Sequence, residues 1–142
     1  MEWCSDLLEK LDIPINSLPQ VKPSFSNFGE MKEIIPGVPV TAILGDQQAA
    51  LFGQNCINKG DVKNTYGTGC FALTNTGKDI VKSNNGLLTT IAYQKEGEDP
   101  MFALEGSVPI AGAAVQWLRD NLNIIDKSCL LYTSDAADDQ CC

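Results

Sequence analysis

The chain has 142 residues, of which 44% are hydrophobic and 7% aromatic, and its formal net charge is −8. This length fits one ordinary domain, and the apolar content is typical of a globular chain that can bury a core. The acidic balance argues against nucleic acid as a partner, because nucleic-acid binding relies on Lys and Arg side chains that neutralise phosphates.

The N-terminal residues predict a short helix followed by irregular backbone. Residues 2–11 carry four apolar side chains at helical spacing, which favours an amphipathic helix. Residues 21–37 contain two prolines and two glycines and predict a loop or short extended pieces. No apolar run approaches the roughly 20 residues that span a bilayer, and the first residues lack the features of a signal peptide. We therefore expect a soluble, cytoplasmic protein without a membrane span.

A compact apolar run follows at residues 38–44, between two glycines, and predicts a buried strand. Residues 47–52 then predict one or two turns of helix, with Gly53 in the position of a C-cap. Asp46 is consequently expected at a strand-to-helix junction.

The middle of the chain predicts several strands. Residues 62–66 and 70–74 form two extended runs that flank Gly67-Thr68-Gly69, which predicts a tight hairpin. Two more strands are predicted at residues 86–93 and 101–104.

A helix is predicted over residues 108–121. Ser107 is a suitable N-cap, and Pro109 is tolerated in the first helical turn. Gly112 and the two alanines that follow it leave one patch of this helix very small.

Asp46 is a candidate catalytic base. The sequence contains no histidine, so any proton transfer falls to a carboxylate, Lys, Tyr or Cys. Phosphoryl transfer to an alcohol needs positioning, charge stabilisation and a base for the hydroxyl proton, and a carboxylate can serve as that base. The alternative is that Asp46 only caps the helix that begins at Gln47. For Gln47 itself, the usual explanation is an exposed helix side chain.

The Gly67-Thr68-Gly69 turn is a candidate phosphate contact. It offers backbone N–H groups and a hydroxyl between two residues without Cβ, which lets phosphate oxygens approach. The spacing and ending of a Walker loop are missing. An ordinary hairpin turn is the alternative.

Gly112 needs a physical reason, since glycine inside a helix costs about 1 kcal/mol relative to alanine. Either another part of the backbone packs closely there, or a flat nucleobase or ribose lies on the small surface. Gln116 follows one turn later on the same face.

The cysteines and the C-terminal residues bear on the cell compartment and on the extent of the native sequence. Six cysteines, at positions 4, 56, 70, 129, 141 and 142, show no CxxC spacing, which favours neither a zinc knuckle nor a redox pair. The three isolated cysteines in the body of the chain fit a reducing compartment. Residues 129–142 resemble one translated frame of a sequencing adapter, the alternative being a natural acidic tail. We exclude this segment from fold prediction, which changes the net charge from −8 to −5, and we expect the natural sequence to continue beyond Ser128.

The order of these segments carries a family resemblance over about residues 1–128. The chain resembles the glycerol branch of the FGGY carbohydrate-kinase family, whose pattern is matched by Gly45–Gln54, Lys63–Phe71, Asn85–Ala92, Ala103–Gly106 and Gln116–Asp120. The resemblance implies an α/β fold, and the chain would be an internal fragment of an actin-like (ribonuclease H-like) two-domain sugar kinase. Residues 1–54 would end the N-terminal domain, residues 55–128 would begin the C-terminal domain, and residues 129–142 would be a non-native tail.

On the acceptor side, the resemblance implies ATP-dependent phosphorylation of glycerol to sn-glycerol 3-phosphate. Asp46 would take the hydroxyl proton and hold that hydroxyl in line with the γ-phosphate. Gln47 would hydrogen-bond another glycerol hydroxyl. Another polyol or sugar as substrate, or an actin-like nucleotide-binding fragment without catalysis, are the alternatives.

On the nucleotide side, the resemblance implies ATP with Mg²⁺. Thr68, with its neighbours Gly67 and Gly69, would meet the ATP phosphates, and Gly112 and Gln116 would border the nucleoside. The parent protein is expected to be a homo-oligomer. The 142-residue chain alone is expected to be inactive and poorly folded, because both walls of the cleft must be held in place for transfer.

Overall fold

The computed structural model describes residues 1–128, and the predicted non-native segment 129–142 lies outside these residues. A 3₁₀ turn at Ile15–Ser17 follows the first helix. In chain order, the main elements are α1 (Ser5–Lys10), α2 (Asp46–Gly53), β1 (Val62–Tyr66), β2 (Cys70–Gly77), β3 (Leu88–Tyr93), β4 (Met101–Val108) and α3 (Gly112–Asp120).

The four strands form one antiparallel sheet in the order β1-β2-β4-β3. β1 and β2 pair from Val62 opposite Thr74 to Tyr66 opposite Cys70, which closes the hairpin at the predicted turn. The central strands β2 and β4 pair from Cys70 opposite Val108 down to Gly77. The predicted hairpin is therefore confirmed, and β2 and β4 both run farther than their apolar stretches indicated.

The core lies between α2 and one face of this sheet. Leu51 of α2, Leu73 of β2 and Ala103 of β4 are completely buried. The rings of Phe25, Phe52 and Tyr93 pack around them, with centroids 4.9–6.1 Å apart. Burial raises the pKa of the Tyr93 phenol, and the nearby charge of Glu98 acts in the same direction.

The predicted strand at residues 38–44 is wrong. Pro39 and Ala42 make isolated bridges, and Val38 and Ile43 are exposed. Pro39 has no N–H to donate to a ladder, and within residues 1–128 this run pairs only with parts of the preceding loop and not with the sheet.

The start of the last helix was also predicted wrongly. β4 continues through Val108, and Ser107 pairs with Phe71 in the sheet instead of capping a helix. Helix α3 begins at Gly112, with Ala111 as its N-cap residue. The strand takes up the predicted N-cap Ser107 and the first predicted helical residue Val108, and residues 109–111 link the strand to the helix.

Two further properties concern residues 1–128 alone. No helix there is long and apolar enough to cross a membrane. Cys4, Cys56 and Cys70 are free thiols, in line with the absence of CxxC spacing.

Replacing Leu73 by Ala in the full-length protein should lower the free energy of unfolding by about 2–5 kcal/mol, because it leaves a cavity between α2 and the sheet. Denaturant unfolding measures this change. Leu73→Met is the matched control, since it nearly conserves volume and should cost less than about 1.5 kcal/mol. Equal stabilities of the Ala variant and the unmodified protein would contradict this position of the core.

Candidate functional site

Asp46 is the first residue of α2 and is exposed. Gly45 occupies the N-cap position in extended backbone, and no side chain in the described part of the chain caps the helix. The Asp46 Oδ1 atom accepts a hydrogen bond of 2.8 Å from the amide of its neighbour Gln47. A carboxylate in the first turn is favoured by the helix dipole. The structure thus leaves Asp46 with one local amide contact and a carboxylate that is open to a ligand.

Gln47 is half-buried, so the interpretation of this residue as an exposed helix side chain is wrong. Its Oε1 atom accepts a hydrogen bond from the Nζ atom of Lys63 on β1. The contact ties the first turn of α2 to the first strand of the hairpin.

Lys63 is the residue at this site that the sequence analysis missed. Only 2% of its surface is exposed. Its ammonium group also donates to Thr65 Oγ1 at 2.9 Å and to the Phe71 carbonyl at 3.1 Å. A detectable signal was present in the sequence, because strand alternation places Lys63 on the same inward face as Thr65.

Burial lowers the pKa of Lys63, since removal from water disfavours the charged form. The charges of Glu105, Asp46 and Cys56, in that order, oppose this shift. Asp46 is therefore an electrostatic neighbour of the buried cation as well as the sequence neighbour of Gln47.

The Gly67-Thr68-Gly69 turn caps helix α3. Its carbonyls accept the first amides of the helix: Ala111 donates to Thr68 at 2.8 Å, Gly112 to Gly67 at 3.0 Å and Ala113 to Thr68 at 3.2 Å. These bonds satisfy amides that a helix N-terminus otherwise leaves without partners. The first turn of α3 is consequently occupied by the protein's own backbone.

Close backbone approach explains the glycines at this junction. A Cβ atom on Gly112 would lie 2.4 Å from the Gly67 carbonyl oxygen, and one on Gly69 would lie 2.6 Å from the Val108 carbonyl oxygen. Of the two explanations considered for Gly112, the structure provides close backbone packing.

The predicted site residues fall into two groups. Gly67, Thr68, Gly69 and Gly112 meet at the turn, and Gln116 is exposed one helical turn farther along α3. Asp46 and Gln47 form the other group, in the first turn of α2, and Lys63 reaches it from β1.

The opposite face of the sheet carries a cleft of about 810 Å³. Asn64, Tyr66 and Ala72 line it, alternating along their strands with residues that face α2. None of the predicted site residues lines this cleft. Within residues 1–128, no group of three or more Cys, Asp or Glu side chains could hold a metal ion.

Comparison with known proteins identifies the family. The sequence model for the C-terminal domain of the FGGY family of carbohydrate kinases matches residues 62–141, more than half of the chain. The chain belongs to the FGGY family of carbohydrate kinases. The matched range extends into residues 129–142, and the non-native origin of that segment stays a prediction. The domain boundary between residues 54 and 55 also stays a prediction.

Curated relatives of this FGGY chain include glycerol kinases. It is 55% identical over 129 residues to the glycerol kinase of Brucella anthropi, covering 90% of the chain and 26% of that protein. It is 57% identical over 129 residues to the glycerol kinase of Natranaerobius thermophilus, covering 89% and 26%. The chain thus spans about a quarter of the length of the curated relatives it matches.

Solved structures of the family share its fold. A crystal structure of Plasmodium falciparum glycerol kinase with ADP matches with a TM-score of 0.81 and 40% identity, over 89% of this chain and 26% of that one. Xylulose kinase from Rhodospirillum rubrum matches with a TM-score of 0.70 and 20% identity, over 90% of this chain and 26% of that one, a likeness of fold alone. The FGGY chain is therefore an α/β fragment of the actin-like sugar-kinase fold, as predicted.

Replacing Gly112 by Ala in the full-length protein should lower the free energy of unfolding by about 1–3 kcal/mol, because the new methyl group collides with the Gly67 carbonyl. Gly53→Ala is the matched control, since that helical glycine has open space where a Cβ would lie. It should leave stability unchanged or raise it by up to about 1 kcal/mol. Denaturant unfolding that showed the same effect for both variants would contradict the close approach.

Proposed function

We propose that the full-length protein transfers the γ-phosphoryl group of ATP to glycerol, forming sn-glycerol 3-phosphate. The observation that supports this proposal most strongly is a pair of side chains at the start of α2. The Asp46 carboxylate is exposed, and beside it the Gln47 Oε1 atom accepts a hydrogen bond from Lys63. Identities above 50% to glycerol kinases support glycerol over another polyol or sugar.

In this proposal, Asp46 is the catalytic base. Its carboxylate accepts the proton of one glycerol hydroxyl as that oxygen bonds to the γ-phosphorus, while the bond from phosphorus to the ADP oxygen breaks. Gln47 donates from Nε2 to a second glycerol hydroxyl and thereby orients the substrate. Both residues come from the rigid first turn of α2, which favours a fixed geometry for transfer.

The turn at Thr68 supplies the nucleotide side of the proposed site. Within residues 1–128, the amides of Thr68 and Gly69 have no protein acceptor, whereas the carbonyls of Gly67 and Thr68 are used by α3. Thr68 is exposed. A turn with unused N–H groups and an exposed hydroxyl fits phosphate oxygens.

The nucleoside would lie along the start of α3, bordered by Gly112 and Gln116. In that position, Gln116 offers an exposed side-chain amide, while Gly112 contributes by letting the turn approach the helix. The contribution of Gly112 to binding would then be indirect.

Mg²⁺ would enter with ATP and would neutralise phosphate charge. Asp46 contributes a carboxylate to the described part of the site. We propose that this carboxylate accepts the hydroxyl proton. We further propose that the site lies between an N-terminal domain that ends near residue 54 and a C-terminal domain that begins near residue 55. The full-length protein would be cytoplasmic and would form a homo-oligomer.

Asp46→Asn in the full-length protein should reduce the turnover number by about 10²–10⁴-fold, because the amide cannot take the hydroxyl proton. Binding of glycerol and ATP should stay largely intact, and Asn can make the same local helix contact. Steady-state kinetics and equilibrium binding measure the two effects. Asp79→Asn is the control, since it removes an equal charge from an exposed pair with Lys59. Unchanged turnover in Asp46→Asn would remove Asp46 from this role.

The choice of substrate is tested by measuring the kinetics of the unmodified full-length protein with a panel of polyols and pentuloses. Glycerol should be phosphorylated with a higher kcat/KM than pentuloses or other polyols. Preference for a ketose would overturn the choice of substrate. Binding of ATP and glycerol without turnover would instead favour the non-catalytic alternative.

Thr68→Val should raise the KM for ATP by about tenfold, because it keeps the shape of the side chain and removes a hydroxyl that bonds a charged phosphate. The KM for glycerol should stay unchanged. Thr68→Ser retains the hydroxyl and should behave like the unmodified protein. The phosphate contact is contradicted if Val and Thr at this position give the same KM for ATP.

A further inference from the structure

The unexplained feature of the site is a fully buried lysine. Lys63 is among the largest completely buried side chains of the described residues, and burial of a charged group is unfavourable unless its donors are satisfied. Three acceptors surround its Nζ atom: Gln47 Oε1, Thr65 Oγ1 and the Phe71 carbonyl. An ammonium group has three N–H donors, so this set satisfies all of them.

The three acceptors come from different elements. Thr65 belongs to β1, Phe71 to β2, and Gln47 to the first turn of α2. If Lys63 stabilised only the sheet, the acceptors on Thr65 and Phe71 would be sufficient. The third acceptor is the residue that follows the proposed catalytic base.

Contact with Lys63 fixes the direction of the Gln47 carboxamide. The two ends of a glutamine amide are nearly the same size but have opposite hydrogen-bonding character. Because Lys63 only donates, Oε1 must face it, and the Nε2 donor must face away. Within residues 1–128, Nε2 of Gln47 has no protein acceptor. An Nε2 donor next to the Asp46 acceptor suits a molecule with two neighbouring hydroxyls.

We propose that Lys63 is a positioning residue, which holds the Gln47 carboxamide with Nε2 directed at a substrate hydroxyl. This inference rests on the proposed glycerol phosphorylation. Lys63 touches neither substrate in this account and acts through Gln47 alone. Removal of the Lys63 ammonium group should therefore weaken glycerol recognition. ATP recognition should be retained, because the Thr68 turn keeps its own contacts with α3.

Lys63→Met in the full-length protein tests the proposal, because methionine fills a similar volume without any donor. We expect the KM for glycerol to rise by about tenfold or more, while the KM for ATP changes by less than about twofold. Lys59→Met is the matched control, since this exposed lysine pairs with Asp79 away from Gln47. It should leave both constants unchanged.

A double-mutant cycle with Gln47→Ala separates positioning from a purely structural role. If Lys63 acts through Gln47, adding Lys63→Met to Gln47→Ala should cause no further rise in the KM for glycerol. If Lys63 only supports the core, the rise persists in the Gln47→Ala background and the KM for ATP rises with it. That second result would overturn the proposal.

Gln47→Glu gives a test that keeps Lys63 in place, should the methionine variant fold poorly. Its carboxylate still accepts from Lys63, but it cannot donate to a substrate hydroxyl. We expect normal thermal stability with a rise of about tenfold in the KM for glycerol. Unchanged glycerol kinetics would contradict the donor role. Absence of glycerol turnover in the unmodified full-length protein would contradict the proposed function instead, so the two failures are distinguishable.

Discussion

The packing of α2 against the sheet is the constraint on which the rest of this structure depends. Leu51 is completely buried in contact with the core that Leu73 and Ala103 form on the sheet. This burial fixes the height and rotation of the helix, and Lys63 then fixes its first turn through Gln47. Asp46 is exposed and, among residues 1–128, makes a side-chain hydrogen bond with the neighbouring Gln47 amide alone, so it obtains its position from these two anchors. The position of the Asp46 carboxylate thus depends on apolar packing elsewhere in α2 and not on contacts of its own.

A second constraint, the lack of Cβ atoms at two glycines, positions the turn that we propose for the nucleotide. Gly69 lets the hairpin turn approach the end of β4, and Gly112 lets the Gly67 carbonyl approach the start of α3. The turn carbonyls then cap the helix, so the amides of Thr68 and Gly69 are the ones left without protein acceptors within residues 1–128. The turn and helix therefore form one unit, and its phosphate contacts would come from the turn and not from the helix dipole.

The sequence predicted the hairpin well because its signals are local: two alternating runs flank a glycine-rich turn of three residues. The prediction for residues 38–44 is wrong because Pro39 interrupts the apolar run, and the prediction for the start of α3 is wrong because a suitable N-cap serine lies within a strand. Strand alternation indicates that Lys63 faces inward, but its acceptors come from three elements, which no local pattern brings together. The roles proposed for Asp46, Gln47 and Thr68 rest on family resemblance, since each residue has an ordinary structural explanation when considered alone.

A crystal structure of the full-length protein with glycerol and ADP tests the central claim most directly. We expect one glycerol hydroxyl within about 2.6–3.2 Å of the Asp46 carboxylate, a second hydroxyl on Nε2 of Gln47, and ADP phosphates at the Thr68 turn. Glycerol bound elsewhere, with Asp46 facing solvent and the Gln47 carboxamide turned away from Lys63, would contradict it.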